Sequence, residues 1–247
     1  MLKSFYQFIN EEDNQSSFIN ELATTLLNKI RAFHEESMEY TSVFDAEFDK
    51  PTLFNLSIKL RKDLHPNFKQ DSHFNELPWE EINFSEKGYA IDANTYIDNT
   101  EFIVPKIIIH IIIDPNSESR LFPKLHARII DILTHEITQM TQLGVDRTPF
   151  SEKASAKNDR KSAQKSYQYF LLKDEMEAML HGIYARSKYS KIPVDVAIAD
   201  YLAPFLKTRY ITDAQYNRVM VECVKYALEL YPDAIFSKKV EQIVNSI

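Results

Sequence analysis

The spacing of apolar residues changes several times along the chain. From Phe18 to Phe33 they recur at Phe18, Leu22, Leu26, Ile30 and Phe33, which predicts an amphipathic helix buried along one face. A shorter helix is expected at residues 52–64. Residues 65–86 are polar, carry Pro66 and Pro78, and read as loop. Tyr89, Ile91, Tyr96 and Ile97 are spaced irregularly and predict no element. The run FIVPKIIIHIII over 102–113 is β-branched, holds Pro105 near its start and ends in Asp114-Pro115-Asn116-Ser117, which is a strand and its turn. After Pro123, at a place where proline suits a helix start, helical spacing returns from Lys124 to Leu143 and stops at Gly144.

Residues 145–166 are polar, rich in Lys, Arg and Ser, and aperiodic, as expected of a mobile functional loop or a disordered insert. Helices are expected again at 167–188, 194–207 with a break at Pro204, 212–230 and 234–246. The order is helix, small sheet, then a largely helical second half: an α+β fold. Residues 14–247 form one expected domain with its insert at 145–166, preceded by a separate segment at 1–13.

Composition narrows the chemistry more than charge does. Three glycines in 247 residues, Gly88, Gly144 and Gly182, leave no dinucleotide-binding G-x-G-x-x-G, no phosphate-binding Walker loop and no nucleophile elbow. A single cysteine, Cys223, excludes intramolecular disulfides and Cys-rich zinc sites; within an apolar-periodic helix it reads as a small core residue. The net charge of −7 argues against general nucleic-acid binding. The basic residues of the insert, Arg147, Lys153, Lys157, Arg160, Lys161 and Lys165, have a solvated loop as their ordinary reading. No apolar run approaches the roughly 18 residues of a membrane span.

One carboxylate is out of place. On a wheel starting at Leu125, the apolar stripe of the 124–143 helix holds Ile129, Ile132, Met140 and Leu143, and Glu136 falls inside it at about 20°. His135 and Gln139 flank it at about −80° and −40°. A buried carboxylate costs several kcal/mol unless something pairs with it. Thr134-His135-Glu136-Ile137-Thr138-Gln139 is one residue away from H-E-x-x-H, in which two His bind zinc and the Glu takes a proton from metal-bound water. A core His beside a paired Glu is the plainer reading. On the 167–188 helix, Glu175 shares a face with Ala178, Met179, Gly182 and Ala185, while Glu177 lies opposite. An inward Glu among small residues suits either a third metal ligand or a core ion pair.

Taken together, His135-Glu136-Ile137-Thr138-Gln139-Met140-Thr141-Gln142 and Glu175-Met176-Glu177-Ala178, within a helix running from Tyr169-Phe170-Leu171-Leu172 to Gly182-Ile183-Tyr184, resemble the zincin-like metallopeptidases of tailed phages. More distantly they resemble gluzincins. The resemblance covers about residues 88–207 and implies a zincin-like core. It also implies a zinc cofactor held by His135, Glu175 and in part Gln139, with Glu136 as catalytic general base and Ile107–Ile113 in the substrate-side sheet. The departure is Gln139, which stands where the family has its second His. An amide oxygen is a poor zinc ligand, so the site weakens by orders of magnitude unless His110, His126 or His181 substitutes. The wheel turns His181 about 120° away from Glu175.

Met1-Leu2-Lys3-Ser4-Phe5-Tyr6-Gln7-Phe8-Ile9-Asn10-Glu11 carries a second resemblance, to the capsid-targeting peptides of large tailed phages. These are short amphipathic segments cut at an Ile/Leu-x-Glu site, here Ile9, Asn10 and Glu11. A first helix packed on its own domain is the alternative. The resemblance implies a virion-interior protein whose partners are the prohead scaffold or capsid interior and a maturation protease. An acidic tether running through Ser17 would present the cut site. Two functions stay open: a zinc peptidase acting on a protein substrate, and a catalytically inactive zincin-fold virion or host-interaction protein.

Overall fold

The computed structural model describes residues 12–35, 41–46, 55–61, 87–96, 106–114, 120–145 and 167–240. Among them the chain is mostly helical with one small sheet. It divides into two compact units, Met1–Glu136 and Ile137–Ile247.

The first unit opens with α1, Glu12–Glu35. Its buried residues Ile19, Leu22, Ala23, Leu26, Leu27 and Ile30 recur at steps of three and four, the one-faced burial that its sequence predicts. The helix begins earlier than expected. The acidic stretch from Glu12 to Ser17, expected as a tether, is helical. It shows no apolar periodicity, and Ser16 and Ser17 are exposed. Ile9, Asn10 and Glu11, the expected processing site, lie outside the described residues.

Four strands follow: β1 Thr41–Ala46, β2 Asn55–Arg61, β3 Tyr89–Tyr96 and β4 Lys106–Ile113. They order as β1-β2-β4-β3, with β2 parallel to β4 and the two outer pairings antiparallel. The expected strand is therefore β4, starting just after Pro105 and lying inside the sheet. Ile107, Ile109, Ile111 and Ile113 are each at most 1% exposed, and His110 on the alternate register is buried too. Each buried Ile contributes about 1.5–3 kcal/mol, so this strand anchors the unit. Gly88 adopts φ 75°, where a side chain would clash, and its carbonyl accepts the Asp114 amide at 2.9 Å, closing the end of the β3–β4 pair.

The helix expected at 52–64 is not formed; residues 55–61 are strand β2. Leu56, Ile58 and Leu60 alternate with Asn55, Ser57, Lys59 and Arg61, and stand in register with Ile107, Ile109 and Ile111 of β4. This period of two, read over too wide a window, passes for helical spacing. Strand β3 had no signal because Asp92 and Asn94, poor strand formers, interrupt it. At the sheet edge its partners Ile111 and Ile109 face Ile91 and Ala93.

Helix α2, Leu121–Val145, passes from the first unit into the second. Ile129 to Thr134 are all buried, six residues in a row and more than one full turn, so no face reaches solvent there. In the first unit α2 meets α1 at Thr24 and His126, whose Oγ1 and Nε2 lie 3.3 Å apart. It also meets α1 at Phe122, under the Arg31 guanidinium at 5.1 Å and edge-on to His34 at 5.6 Å. Numbering rises along α1 as it falls along α2, so the two helices run antiparallel.

In the second unit a short 3₁₀ turn, Tyr167–Leu171, precedes α3, Lys173–Ser190, then α4, Val194–Lys207, and α5, Asp213–Leu230. Arg186 of α3 ties to α4 through Asp200 at 2.9 Å and the Ala197 carbonyl at 2.6 Å. Helix α4 continues through Pro204 without breaking, since a proline close to its end removes a single amide donor. Thr212 and Gln215 form a capping box at the start of α5. The helix expected at 234–246 is absent over 234–237; residues 238–240 are helical, and 241–247 lie outside the described residues. This backbone is used instead to bind the start of α4. The Ile235 carbonyl accepts the Val194 amide, and Asp195 accepts both the amide and the hydroxyl of Ser237, at 2.8 and 2.6 Å.

Burial, and then the Arg31 charge, lower the pKa of His126 below its ordinary 6.5. The folded protein therefore holds this proton less tightly than the unfolded chain. His126 leaves stability intact above about pH 6.5 and lowers it as the pH falls below that value. Urea unfolding of the wild type should show this loss between pH 7.5 and 5.5, and His126→Gln should flatten the slope; an identical slope in the variant refutes the assignment.

Candidate functional site

The two expected site helices are α2 and α3, and each brings an acidic residue into the interior. Glu136 is 6% exposed and Glu175 is 7% exposed, whereas His135 and Gln139 are half-buried. Glu177 is about one-third exposed, on the opposite side of α3 from Glu175 as the wheel predicts. Buried Ala178, Met179 and Gly182 share the face of Glu175.

Helix α3 starts later than its spacing suggests. Residues 167–171 form the separate 3₁₀ turn, and Leu172, in extended conformation, caps α3 without a side-chain hydrogen bond. Glu175 therefore lies in the first turn of α3, where the helix dipole and the free amides favour an anionic side chain. Two donors converge on a single oxygen of it. The Gln139 amide donates from Nε2 to Glu175 Oε2 at 2.9 Å, and the Tyr169 hydroxyl donates to the same Oε2 at 2.7 Å. With a carboxylate opposite, the amide must present its NH₂, because the flipped orientation would set two acceptors against each other.

Tyr169 reaches Glu175 because its turn is anchored on both sides. Phe170 is 3% exposed and packs edge-on to Phe205 of α4 at 4.9 Å. Tyr167 lies under the Arg218 guanidinium of α5, 6.0 Å from the ring centroid, and its hydroxyl accepts from Arg218 at 3.4 Å. The sequence gives no sign of a role for Tyr169. Seen as part of a continuous helix from 167, it is a core aromatic; only the break at Leu172 lets it fold back to Glu175.

The fit of this site to zinc follows from its donors. Zinc takes three or four N, S or O donors at about 2.0–2.3 Å. Among the described residues, no group of three or more His, Cys, Asp or Glu is placed to hold a metal ion. Gln139 offers its N–H to Glu175, and Glu175 Oε2 already accepts two hydrogen bonds. These residues, as arranged, do not fit the zinc centre that the resemblance implies. Two of the substitute histidines are engaged elsewhere: His126 with Thr24, and His181 through Nδ1 with the Tyr231 hydroxyl. The Tyr231 ring stacks on Tyr184 at 3.8 Å, and Glu177 lies 4.0 Å from His181 Nε2. His110 is buried in β4.

Cys223 is fully buried, and burial followed by the nearby Glu222 charge pushes its pKa up to about 12. It is a core thiol and not a nucleophile. No helix of the described residues is long and apolar enough to cross a membrane. The basic residues of the insert lie outside the described residues. No protein family, curated protein or solved structure matches this chain.

If the carboxylate is the common acceptor, its two donors are coupled through it. Tyr169→Phe and Gln139→Leu should each lower unfolding free energy by about 1–3 kcal/mol, the loss of one hydrogen bond to a charged group. Tyr169→Phe made on top of Glu175→Leu should cost close to nothing. Additive losses in a urea double-mutant cycle would rule out the shared acceptor.

Proposed function

We propose that this chain is a zincin-like protein that has given up metal catalysis and keeps its scaffold as a virion or host-interaction protein of a tailed phage. The observation that carries the reading is the Gln139–Glu175 hydrogen bond with Tyr169 on the same oxygen. In the family resembled, the residue at 139 and the carboxylate at 175 point lone pairs at a cation. Here the residue at 139 points a donor at the carboxylate, and a second donor joins it. A carboxylate held by two hydrogen bonds needs no metal to make its burial tolerable. Glu136 in this reading is a buried polar residue of the scaffold. It is not a general base.

The zincin-like core belongs to this proposal, supported by the mixed sheet leading into α2 and by the two acid-bearing helices. The virion interior belongs to it too, with the prohead scaffold and maturation protease as partners. It rests on the resemblance of Met1–Glu11.

Metal content separates this reading from the peptidase. Purified wild type should carry well under one zinc per chain and bind none tightly on titration, while Gln139→His should gain affinity because an imidazole replaces the amide. One tightly held zinc in the wild type, lost in Glu175→Ala, would defeat the proposal and restore the peptidase. For the location, intact-mass analysis of the protein from phage heads should give a chain beginning at Glu12. Finding it only uncut, or absent from heads, removes the virion part of the proposal.

A further inference from the structure

We propose that the corner where α3 ends and α4 begins is a docking surface for an anionic lipid bilayer. It lies at the opposite end of α3 from Glu175, outside the site described above. Three of the four large hydrophobic side chains exposed among the described residues stand here. They are Tyr189 at the end of α3, 43% exposed, Val196 in the first turn of α4, 44%, and Ile235 on the segment after α5, 73%. Over 188–196 and 232–240 the exposed charged residues are Lys188, Lys191, Lys238 and Lys239, against one carboxylate, Asp233. In a chain of net charge −7 this is a local excess of positive charge beside an apolar patch.

The exposure of Ile235 is set by the fold around it. Its carbonyl accepts the Val194 amide at 2.9 Å, the next side chain, Phe236, is 6% exposed, and Ser237 donates its amide and hydroxyl to the buried Asp195. The segment is therefore tied to α4 on both sides of Phe236, and burying Ile235 would require giving up these ties. Upstream, Tyr231 stacks on Tyr184 of α3 at 3.8 Å, and Lys188 lies 5.3 Å from the same Tyr184 ring. The segment after α5, the end of α3 and the start of α4 are thus held together. Between the helices, Lys191 caps α3 at φ 55°, a conformation usually given to glycine, so the turn carries a cation at a position that favours none.

The residue types select the occupant. Lysine is depleted from protein–protein interfaces, where arginine and aromatic anchors in pockets carry the binding energy. A second copy of the same corner would set lysines against lysines. A nucleic acid would pair with the lysines and leave Ile235 and Val196 against charged phosphates. An anionic bilayer meets both needs. Its headgroups attract the lysines, whose apolar stems lie along neighbouring hydrophobic residues, while the isoleucine and valine enter the acyl boundary and the tyrosine suits the interface.

Flotation of the full-length protein with lipid vesicles tests the surface. The protein should bind vesicles of phosphatidylcholine with about one-third phosphatidylglycerol at low salt, bind phosphatidylcholine alone far less, and come off as salt screens the lysines. Ile235→Ser should weaken binding about tenfold, and Lys238→Ala with Lys239→Ala about thirtyfold. These positions are exposed, so urea unfolding should show both variants as stable as the wild type. Lys225→Ala, which removes an exposed lysine of α5 outside the corner, should bind as the wild type does. No binding to the anionic vesicles, or a loss as large in Lys225→Ala, overturns the proposal. So does binding to polyglutamate that Ile235→Ser weakens while the vesicles stay unbound, which would assign the corner to an acidic protein. A dimer on sedimentation that Ile235→Ser disperses would assign it to a second copy and overturn the proposal too.

Discussion

Helix α2 is buried around its whole circumference over Ile129–Thr134 and carries His126, Asp131, Thr134, Glu136 and Thr138 among its buried residues. Polar groups taken out of water must be bonded, and none of these five is without a partner. Asp131 pairs with Arg128 one turn back, Thr134 returns its hydroxyl to the Ile130 carbonyl, and His126 reaches α1 at Thr24. The helix is central because its apolar residues bury it, and specific because its polar residues accept few neighbours. An apolar helix of the same length could slide or rotate against α1. This one cannot without breaking the contact between His126 and Thr24.

The same constraint governs the second unit. Beyond Thr138 of α2, the buried polar groups among its described residues are Glu175, Arg186, Ser187 and Asp195, and each fixes one junction between elements. Arg186 sets α3 against α4, and the Ser187 hydroxyl closes the turn after α3 on the Ile192 carbonyl at 2.6 Å. Asp195 ties the segment after α5 to the first turn of α4. Apolar burial by Ala178, Leu180, Ile183, Ala197, Ile198, Leu202 and Cys223 supplies the driving force. It has no direction of its own, and the polar ties select one arrangement of the helices.

What could be read in the sequence follows from how strongly one physical signal dominates each segment. Helices α2, α4 and α5 are long and one-faced or strongly apolar, and their spacing gives them within a few residues; α1 was given along its buried face but not over Glu12–Ser17. Strand β4 shows through its isoleucines and the proline before it. Strand β2 did not, because seven alternating residues inside a longer window mimic a helix, and β3 did not, because an edge strand tolerates Asp92 and Asn94. Residues 234–237 carry apolar Ile235 and Phe236 beside a helical continuation at 238–240. Their backbone groups are taken by α4, a tertiary demand that no local pattern contains.

The site was legible to the same limit. Wheel geometry is local, so it placed Glu175 inward and Glu177 outward correctly. It could not give the partner of Glu175, which depends on where α3 begins. Shifting that start from 167 to 173 turns Tyr169 from one more core aromatic into a hydrogen-bond donor. It also moves Glu175 from mid-helix to the first turn, where the helix dipole favours a negative charge. Gln139 is the second donor. An imidazole at this place could present a lone pair or a proton, according to its tautomer. A primary amide facing a carboxylate can present only its proton. With Gln139 and Tyr169 in place, Glu175 Oε2 accepts two hydrogen bonds, and the chemistry at this position follows from the donors around it.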